Sequence, residues 1–242
     1  MKTEQEIRGN IDKIKARIAA ACERSGRDPE EVSLIAVSKM NPAEAVREAY
    51  ECGQRLFGEN KVQELCEKQD EFDSLIPGNE AEWHLIGHLQ TNKVKYVIGR
   101  VKMIHSVDSV RLAAEIEKES AKKDVVTDIL LEVNISLEES KFGITPDNIY
   151  EILSEISAMK HIRVRGLMTV APYTDYPETN RIYFRKLKDL SVDISRKNND
   201  NITMNVLSMG MTGDFETAIE EGATYVRVGT GIFGARDYSD KN

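Results

Sequence analysis

The sequence predicts a single-domain (β/α)₈ TIM barrel, an α/β fold in which helices cover a closed parallel sheet. Short β-rich runs alternate strictly with segments of helical periodicity along the 242 residues, and the runs number eight. Residues 51–58 and 221–229 also echo each other. Each segment ends a helix at glycine, turns tightly and continues into a strand that ends at glycine. A doubly wound open sheet is the competing fold, because it has the same alternation.

The first predicted element is an amphipathic helix in front of the barrel. Its apolar positions are spaced by three and four residues, as a single buried helix face requires: Ile7, Ile11, Ile14, Ile18 and Cys22. No linker or low-complexity tract follows this helix. We therefore predict one domain over residues 1–242, with residues 1–25 as an additional N-terminal helix.

Strands and helices then follow in turn. The strands are predicted at residues 33–38, 55–57, 82–86, 102–105, 128–134, 163–168, 205–209 and 224–228. Asn41 and Pro42 predict a helix start, with Asn41 as the N-cap and Pro42 in the first helical position. Thr145, before a proline, predicts another helix start. Asp214 predicts the start of a short helix that ends at Gly222.

The composition is that of a globular protein and limits the function classes. Hydrophobic residues make up 40% of the chain and charged residues 31%. The net charge of −8 argues against general binding of nucleic-acid backbones. No apolar run approaches the length of a membrane span, and the polar N-terminus lacks the apolar core of a signal peptide. Cys22, Cys52 and Cys66 have no disulfide spacing, so we expect reduced thiols in a cytoplasmic protein.

Lys39 is the first candidate functional residue. It follows the apolar run of residues 34–38 and precedes the helix start at Asn41. A lysine at the carboxyl end of a buried strand lies in a region of low dielectric constant. Desolvation lowers the pKa of such an amine and makes it nucleophilic toward an aldehyde or ketone. The alternative is a lysine whose apolar stem packs on the strand end while its amine stays in water.

The last predicted strand leads into a loop sized for a phosphate. Residues 225–228 run into residues 229–234, which match the spacing G-x-G-x-x-G. A dinucleotide site would need a long helix and an acidic residue about 20 positions further on, but only residues 235–242 remain. The glycines let backbone N–H groups approach an anion, and the loop after strand eight is a common phosphate site in such barrels. A carbonyl-capturing lysine and a phosphate loop on one rim together predict a pyridoxal phosphate site.

Other unusual residues also lie at strand ends, where a barrel carries its chemistry. They are Asn60, His84, His88, Asn134, Met168, Ser208 and Met209. We expect the Ser208 hydroxyl to join the phosphate loop, and Met209 to line the pocket or the core. His84 and His88 have a metal-like spacing, but they flank a strand end and no third ligand is evident. We therefore expect a structural role for them and no metal.

Arg227 shares one strand face with Tyr225, and Val226 shares the other with Val228. The valine face suits helix packing, which predicts Arg227 inside the barrel near the rim. A buried arginine needs an acceptor, and the sequence leaves two kinds open. One is a carboxylate such as Glu59 or Glu132. The other is the ring nitrogen of the cofactor, which a guanidinium would keep unprotonated, so that the ring is a weak electron sink.

Five strings resemble the pyridoxal phosphate homeostasis protein family: residues 37–39, 57–60, 83–90, 207–211 and 226–234. The similarity covers nearly the whole chain, and the strings at 83–90 and 207–211 are highly specific. One departure is Thr212, where serine is usual. The resemblance implies the barrel of the alanine racemase N-terminal domain, fold type III of pyridoxal phosphate proteins, standing alone.

The resemblance also implies residue roles. Lys39 would form a Schiff base with pyridoxal 5′-phosphate and Arg227 would face the ring nitrogen. Ser208, Gly229 and Thr230 would hold the phosphate. We expect three further cofactor contacts: Asn60, Met168 and Met209.

The implied function is buffering or delivery of pyridoxal phosphate without catalytic turnover. Expected partners are the cofactor and recipient apo-enzymes, and the expected state is a cytoplasmic monomer or weak dimer. The alternative is a racemase or another Schiff-base enzyme that uses the cofactor. An aldolase-like enzyme without cofactor explains Lys39 but leaves Arg227 and the phosphate loop without roles.

Overall fold

The computed structural model describes residues 3–196 and 201–234, and its sheet is a closed parallel barrel. Eight strands follow one another around the barrel in sequence order, and the last pairs with the first. They are β1 (Ser33–Val37), β2 (Leu56–Glu59), β3 (Glu82–Leu85), β4 (Met103–Val107), β5 (Thr127–Glu132), β6 (Ile162–Met168), β7 (Ile202–Met211) and β8 (Tyr225–Val228). The predicted fold is confirmed. The pairing of β1 with β8 excludes the open sheet, which would leave both strands at edges.

Helices cover the outside of the barrel. They are α1 (Glu4–Ser25), α2 (Ala43–Glu51), α3 (Val62–Leu75), α4 (Val94–Val97), α5 (Val110–Lys122), α6 (Ile149–Ile156), α7 (Arg181–Ser195), α8 (Phe215–Glu220) and α9 (Thr230–Phe233). α1 precedes β1, α9 follows β8, and the others connect consecutive strands. α2 begins one residue later than predicted, with Pro42 in the N-cap position. The reason is local, because the Asn41 amide donates to the carbonyl of Lys39 and caps no helical N–H.

Alternation along the strands separates two apolar regions. One strand face packs against the helices in the main core, as Leu34 and Ala36 do in β1. The other face fills the barrel interior, where a smaller cluster contains Met103, Leu130, Met168 and Val206, with Tyr225 against it. α1 buries the predicted stripe of isoleucines and Cys22, and it packs on the helices α2, α8 and α9. The opening at the carboxyl-terminal ends of the strands, beside Lys39, is called the mouth below. Its chemistry is built on residues that face inward or end a strand.

Two glycines allow close contacts that shape the mouth. A side chain on Gly87 would collide with the backbone of Asn60, so glycine lets the loop after β3 pack directly on the loop after β2. Gly166 has φ of 159° and would collide with the backbone of Val206 if it carried a Cβ. The register between β6 and β7 shifts at this point, and the shift aligns Met168 with Ser208.

No helix within residues 3–196 and 201–234 has the length and apolar character needed to cross a membrane.

Candidate functional site

Lys39 lies at the rim of the barrel, two residues beyond the end of β1, and is partly buried. A tight turn follows the strand, in which Asn41 N donates to Ser38 O over 2.9 Å. Met40 inside this turn has φ of 64°, the left-handed region that few non-glycine residues adopt. Lys39 therefore lies at a strand end, as the sequence predicts, and the structure adds a constrained turn around it.

The glycine loop lies directly beside the end of β1. A Cβ on Gly229 would come within 3.2 Å of Val37 O, so the loop and the strand that leads to Lys39 are in close contact. Thr230 begins α9, and the first amides of a helix have no acceptor within it. Thr212 contacts this turn through its hydroxyl, at 3.3 Å from Thr230 Oγ1 and 3.4 Å from Gly231 N. The residue at which the sequence departs from the family pattern thus keeps the hydroxyl that the loop uses.

Arg227 is buried inside the barrel, as predicted, with 4% of its surface exposed. Its Nη1 donates to Ser208 Oγ over 2.6 Å and its Nη2 donates to Thr169 O over 2.8 Å. Burial lowers the pKa of its guanidinium to about 10, against the charges of Glu132 and Asp214, so the group stays protonated at neutral pH. In the described part of the chain, no carboxylate forms a salt bridge with Arg227.

The carboxylate partners considered for Arg227 are therefore not its hydrogen-bond acceptors. Glu59 lies on the helix side of the barrel, where it accepts from Lys68 and Ser38. Glu132 acts on Arg227 only through its charge. The guanidinium is held instead by a hydroxyl and a carbonyl, which fix its orientation without neutralising it.

A column of hydrogen bonds continues from Arg227 into the barrel. Ser208 Oγ lies 2.9 Å from His105 Nδ1, and His105 Nε2 lies 2.9 Å from His84 Nδ1. Ser208 Oγ accepts from Arg227, which can only donate, and the direction of its bond with His105 Nδ1 follows from the His105 tautomer. Burial lowers the pKa of His84 to about 4 and that of His105 well below the ordinary value. Both imidazoles are thus neutral at neutral pH.

This column changes what can be expected of Ser208. Its side chain is fully buried, and its hydroxyl is engaged by Arg227 and His105. The structure brings Ser208 together with Arg227, whereas we expected its hydroxyl among the donors of the phosphate loop. The sequence offered no sign of this, because His105 lies 103 positions away in the chain. The only local signal for His105 is that it lies two residues after Met103 in β4, so both side chains share the inward face of the strand.

Asn60 supplies an unsatisfied acceptor at the mouth. Its Oδ1 atom is buried and has no hydrogen-bond partner among the described residues. It is one of several such buried atoms in the described chain, and its place at the strand end leaves it available to accept a hydrogen bond from a ligand in the mouth. Together with Lys39, the Gly229 loop and Arg227, this atom places an amine, backbone amides, a guanidinium and an acceptor around one opening of the barrel.

The two methionines that are predicted to contact the cofactor, Met168 and Met209, lie on opposite faces of the sheet. Met168 belongs to the interior cluster and is 1% exposed. Met209 packs in the main core between barrel and helices. Met168 is therefore on the side of the mouth and Met209 is not, and contact of either with the cofactor stays a prediction.

Glu132, which the sequence offers only as a possible partner of Arg227, is a buried carboxyl group at the end of a strand. It ends β5 beside Met168, is 9% exposed, and makes no side-chain hydrogen bond within the described ranges. Burial and the nearby charge of Asp108 raise the pKa of its carboxyl to about 7, while Arg227 opposes the rise. Strand alternation with Leu130 was the available signal, since both residues share the inward face.

His84 and His88 do not form a common site. His84 is buried in the interior column, whereas His88 is at the surface, stacked on Phe142 with ring centroids 4.2 Å apart. Its Nδ1 lies 3.4 Å from Asp108 Oδ2. Across residues 3–196 and 201–234, no group of three histidine, cysteine or carboxylate side chains could hold a metal ion.

A separate cleft of about 330 Å³ opens at the opposite, amino-terminal end of the barrel. Its lining combines Lys15 and Ile18 of α1 with the starts of β1 and β2, and contains no acidic, histidine or cysteine side chain. In such barrels this end serves stability and the other end serves chemistry. The mouth that contains Lys39 is therefore the candidate site.

Comparison with known proteins identifies both the domain and its relatives. The model of the alanine racemase N-terminal domain matches residues 9–237. A protein of Aquifex aeolicus named pyridoxal phosphate homeostasis protein is 46% identical over 94% of this chain and 97% of its own. The protein of the same name from Escherichia coli is 39% identical over 98% of this chain and 99% of its own.

Solved structures agree with this picture. An unknown protein from Bifidobacterium adolescentis has a TM-score of 0.89 and 36% identity, with 95% of each chain covered. PipY of Synechococcus elongatus, solved with pyridoxal phosphate bound, has a TM-score of 0.78 and 36% identity over 91% of this chain and all of its own. Alanine racemase of Corynebacterium glutamicum, at 19% identity and a TM-score of 0.67, shares the fold, and the match covers 62% of that longer chain.

Proposed function

The chain belongs to the alanine racemase N-terminal domain family and, within it, to the pyridoxal phosphate homeostasis proteins, and from that premise we propose that it binds pyridoxal 5′-phosphate and serves the homeostasis of this cofactor. The observation that carries the proposal is the meeting of Lys39, the Gly229 loop and Arg227 at one mouth. The bound cofactor in PipY supports it. The family resemblance drawn from the sequence is confirmed.

Each residue of the mouth has a role in this proposal. Lys39 holds the cofactor covalently, and the amides and hydroxyl of Gly229 and Thr230 bind its phosphate. Bound pyridoxal phosphate would supply an aldehyde, and the Lys39 amine is the nucleophile that would hold it. Arg227 donates toward the ring nitrogen, and Ser208 holds the guanidinium in place. Asn60 contributes its unpaired acceptor, and Met168 lines the interior face, whereas Met209 lies on the helix side of the sheet and supports the strand from behind.

The same residues support a carrier without catalytic turnover. Arg227 keeps its proton at neutral pH, so it would leave the ring nitrogen unprotonated and the ring a weak electron sink. Racemisation also requires a proton to be removed from one face of the substrate α-carbon and returned to the other, so it needs an acid–base group on each face. We propose that holding and releasing the cofactor is the activity, that recipient apo-enzymes take it up, and that the chain acts in the cytoplasm as one domain, monomeric or weakly dimeric.

The test is attachment of the cofactor at Lys39. Purified protein incubated with pyridoxal phosphate and then reduced with borohydride should carry a pyridoxyl group on the Lys39 peptide. Lys39→Ala should abolish this adduct, whereas Lys61→Ala, which removes an exposed lysine near the same rim, should leave it intact. An adduct at another lysine in the wild-type protein would contradict the site. Activation of an apo-enzyme by the loaded protein then tests delivery.

One observation favours a second candidate, a racemase or related Schiff-base enzyme. Glu132 offers an acid–base group with a pKa of about 7 at the mouth, which is suited to proton transfer at neutral pH. Incubation of the loaded protein with L-amino acids in deuterated water measures exchange of the α-proton. Exchange at about 1 s⁻¹ or faster that Glu132→Gln abolishes would establish an enzyme and contradict the carrier.

A further inference from the structure

We propose that Glu59, Glu64 and Lys68 form a clamp behind the barrel wall that positions Lys39 for covalent attachment of the cofactor. The clamp lies on the helix side of β1 and β2, outside the mouth, and no role in cofactor binding follows from its sequence pattern. The inference rests on the proposed function, because it assigns positioning residues to the lysine that would hold pyridoxal phosphate.

Lys68 is the centre of the clamp. It projects from α3 with 6% of its side chain exposed, and it has three acceptors for its three N–H bonds. These are Glu59 Oε1 at 2.5 Å, Ser38 O at 2.8 Å and Glu64 Oε1 at 3.0 Å. One of the three is the main-chain carbonyl of the residue directly before Lys39. The ammonium group therefore ties the end of β1 to α3.

Glu59 holds the same residue through its side chain. It ends β2, its own side chain is fully buried, and its Oε1 accepts from Ser38 Oγ over 2.6 Å. Ser38 is thus fixed through both its hydroxyl and its carbonyl. Burial raises the pKa of the Glu59 carboxyl, while the charge of Lys68 opposes that rise, so the carboxylate depends on the lysine to stay ionised.

Glu64 holds the residue on the other side of Lys39. Its Oε1 accepts from Met40 N as well as from Lys68. Met40 is the residue with φ of 64°. This conformation costs free energy and persists only where the surrounding contacts hold it. The same three side chains therefore hold both neighbours of Lys39. Their hydrogen bonds converge on the turn that contains this lysine.

Stability alone is a weak explanation for this arrangement. Two buried ionic groups must lose their hydration, and well-packed apolar residues often serve as well in such positions. The three side chains instead converge on the main chain of one strained turn. Strain of this kind is held in place by its surroundings and occurs at functional sites. The geometry therefore indicates orientation of the lysine.

The experiment separates attachment from binding in the complete protein. Pyridoxine 5′-phosphate, which lacks the aldehyde, reports reversible affinity. Pyridoxal phosphate at saturation reports the first-order rate of attachment by absorbance, with borohydride trapping as a check. Glu64→Ala removes the acceptor of Met40 N, whereas Glu64→Gln keeps a carbonyl that can accept from it. Glu71→Ala, which removes an exposed carboxylate from the same helix, is the matched control.

We expect Glu64→Ala to slow attachment by about tenfold or more, the loss associated with one charge-assisted hydrogen bond, while affinity for pyridoxine phosphate stays within about twofold. Glu64→Gln should recover most of the rate, and Glu71→Ala should match the wild type. Glu64 is the residue to vary because a quarter of its side chain is exposed, so its loss leaves the fold intact more readily than loss of Lys68.

An unchanged attachment rate in Glu64→Ala would overturn the positioning role. Equal losses of rate and of pyridoxine phosphate affinity, with a lower melting temperature, would overturn it too, because they would indicate general disruption of the fold. Failure of the wild-type protein to attach the cofactor at Lys39 would instead contradict the proposed function.

Discussion

At the scale of single residues, Arg227 is an ionised group whose hydrogen-bond partners are all neutral. Its fork contains five N–H donors, and in the described chain two of them go to the Ser208 hydroxyl and the Thr169 carbonyl. Neutral acceptors orient a guanidinium without cancelling its charge. The positive charge of Arg227 can therefore act on a ligand in the mouth. The neutral imidazoles of His84 and His105 add no competing charge.

Substitution of Ser208 tests this arrangement. In Ser208→Ala, Arg227 Nη1 and His105 Nδ1 both lose a buried partner, so we expect a loss of about 1–3 kcal/mol in the free energy of unfolding. Urea denaturation of the apo-protein measures it. The preference for pyridoxal phosphate over pyridoxal should persist, because the hydroxyl faces Arg227. A selective loss of affinity for the phosphorylated form would show that Ser208 binds phosphate after all.

At the scale of elements, α1 packs against the barrel through two kinds of contact. Its isoleucine stripe is buried, and its outer face forms ion pairs with α8, at 2.6 Å between Arg17 and Glu216 and 2.7 Å between Arg24 and Glu220. The arginine side chains in these pairs are both 48% exposed. Exposed pairs contribute little, because water screens them and ordering two long side chains costs entropy. The apolar stripe therefore holds the helix.

A matched pair of variants in α1 tests whether the apolar stripe contributes more to stability than the surface ion pairs. Ile11→Ala removes a side chain that is 1% exposed, and we expect it to cost about 2–5 kcal/mol in the free energy of unfolding. Arg17→Ala should cost no more than about 1 kcal/mol. Urea denaturation at low and high salt compares the two. A larger effect for Arg17→Ala than for Ile11→Ala would reverse the ranking.

At the scale of the whole molecule, buried ionisable groups give stability two opposing dependences on pH. The pKa of Glu132 is raised from 4.5 to about 7, so the folded state holds a proton that the unfolded state releases, and stability falls as pH rises through this window. The pKa of His84 is lowered from 6.5 to about 4, so stability is lost as pH falls from 6.5 toward 4. The two effects oppose each other between about pH 4.5 and 6.5.

Glu132→Gln separates them in the apo-protein. At pH 8 the variant should be more stable than the wild type by up to about 3 kcal/mol, because ionisation of the buried carboxyl is avoided. At pH 4.5 or below the two proteins should converge, since the carboxyl is protonated in the folded state. Urea denaturation across this range measures the difference. A gain that is independent of pH would indicate better packing and no effect of charge.

Local patterns in the sequence predicted much of the fold and part of the site. Short β-rich runs between helical segments located the eight strands, and alternation with a period of two placed Arg227 inside the barrel, because both patterns depend on neighbours in the chain. The start of β7 at Ile202 lies three residues before the predicted start at Asn205, and the intervening Thr203 and Met204 are only partly buried. Contacts across the barrel had no such local signal. Ser208 with His105, and Lys68 with Ser38, depend on strand register and helix placement that only the folded chain defines.

The closure of β8 onto β1 has a consequence for the order of events during synthesis. Lys39 and its turn leave the ribosome early, whereas Arg227, Gly229 and Thr230 are among the last residues of the barrel to emerge. Until β8 is in place, β1 and β7 are open edges able to pair with other chains. The lysine is therefore present for most of translation beside an incomplete mouth. The complete ring of parallel strands, and with it the meeting of Lys39 with Arg227 and the Gly229 loop, therefore exists only after the final strand has paired with the first.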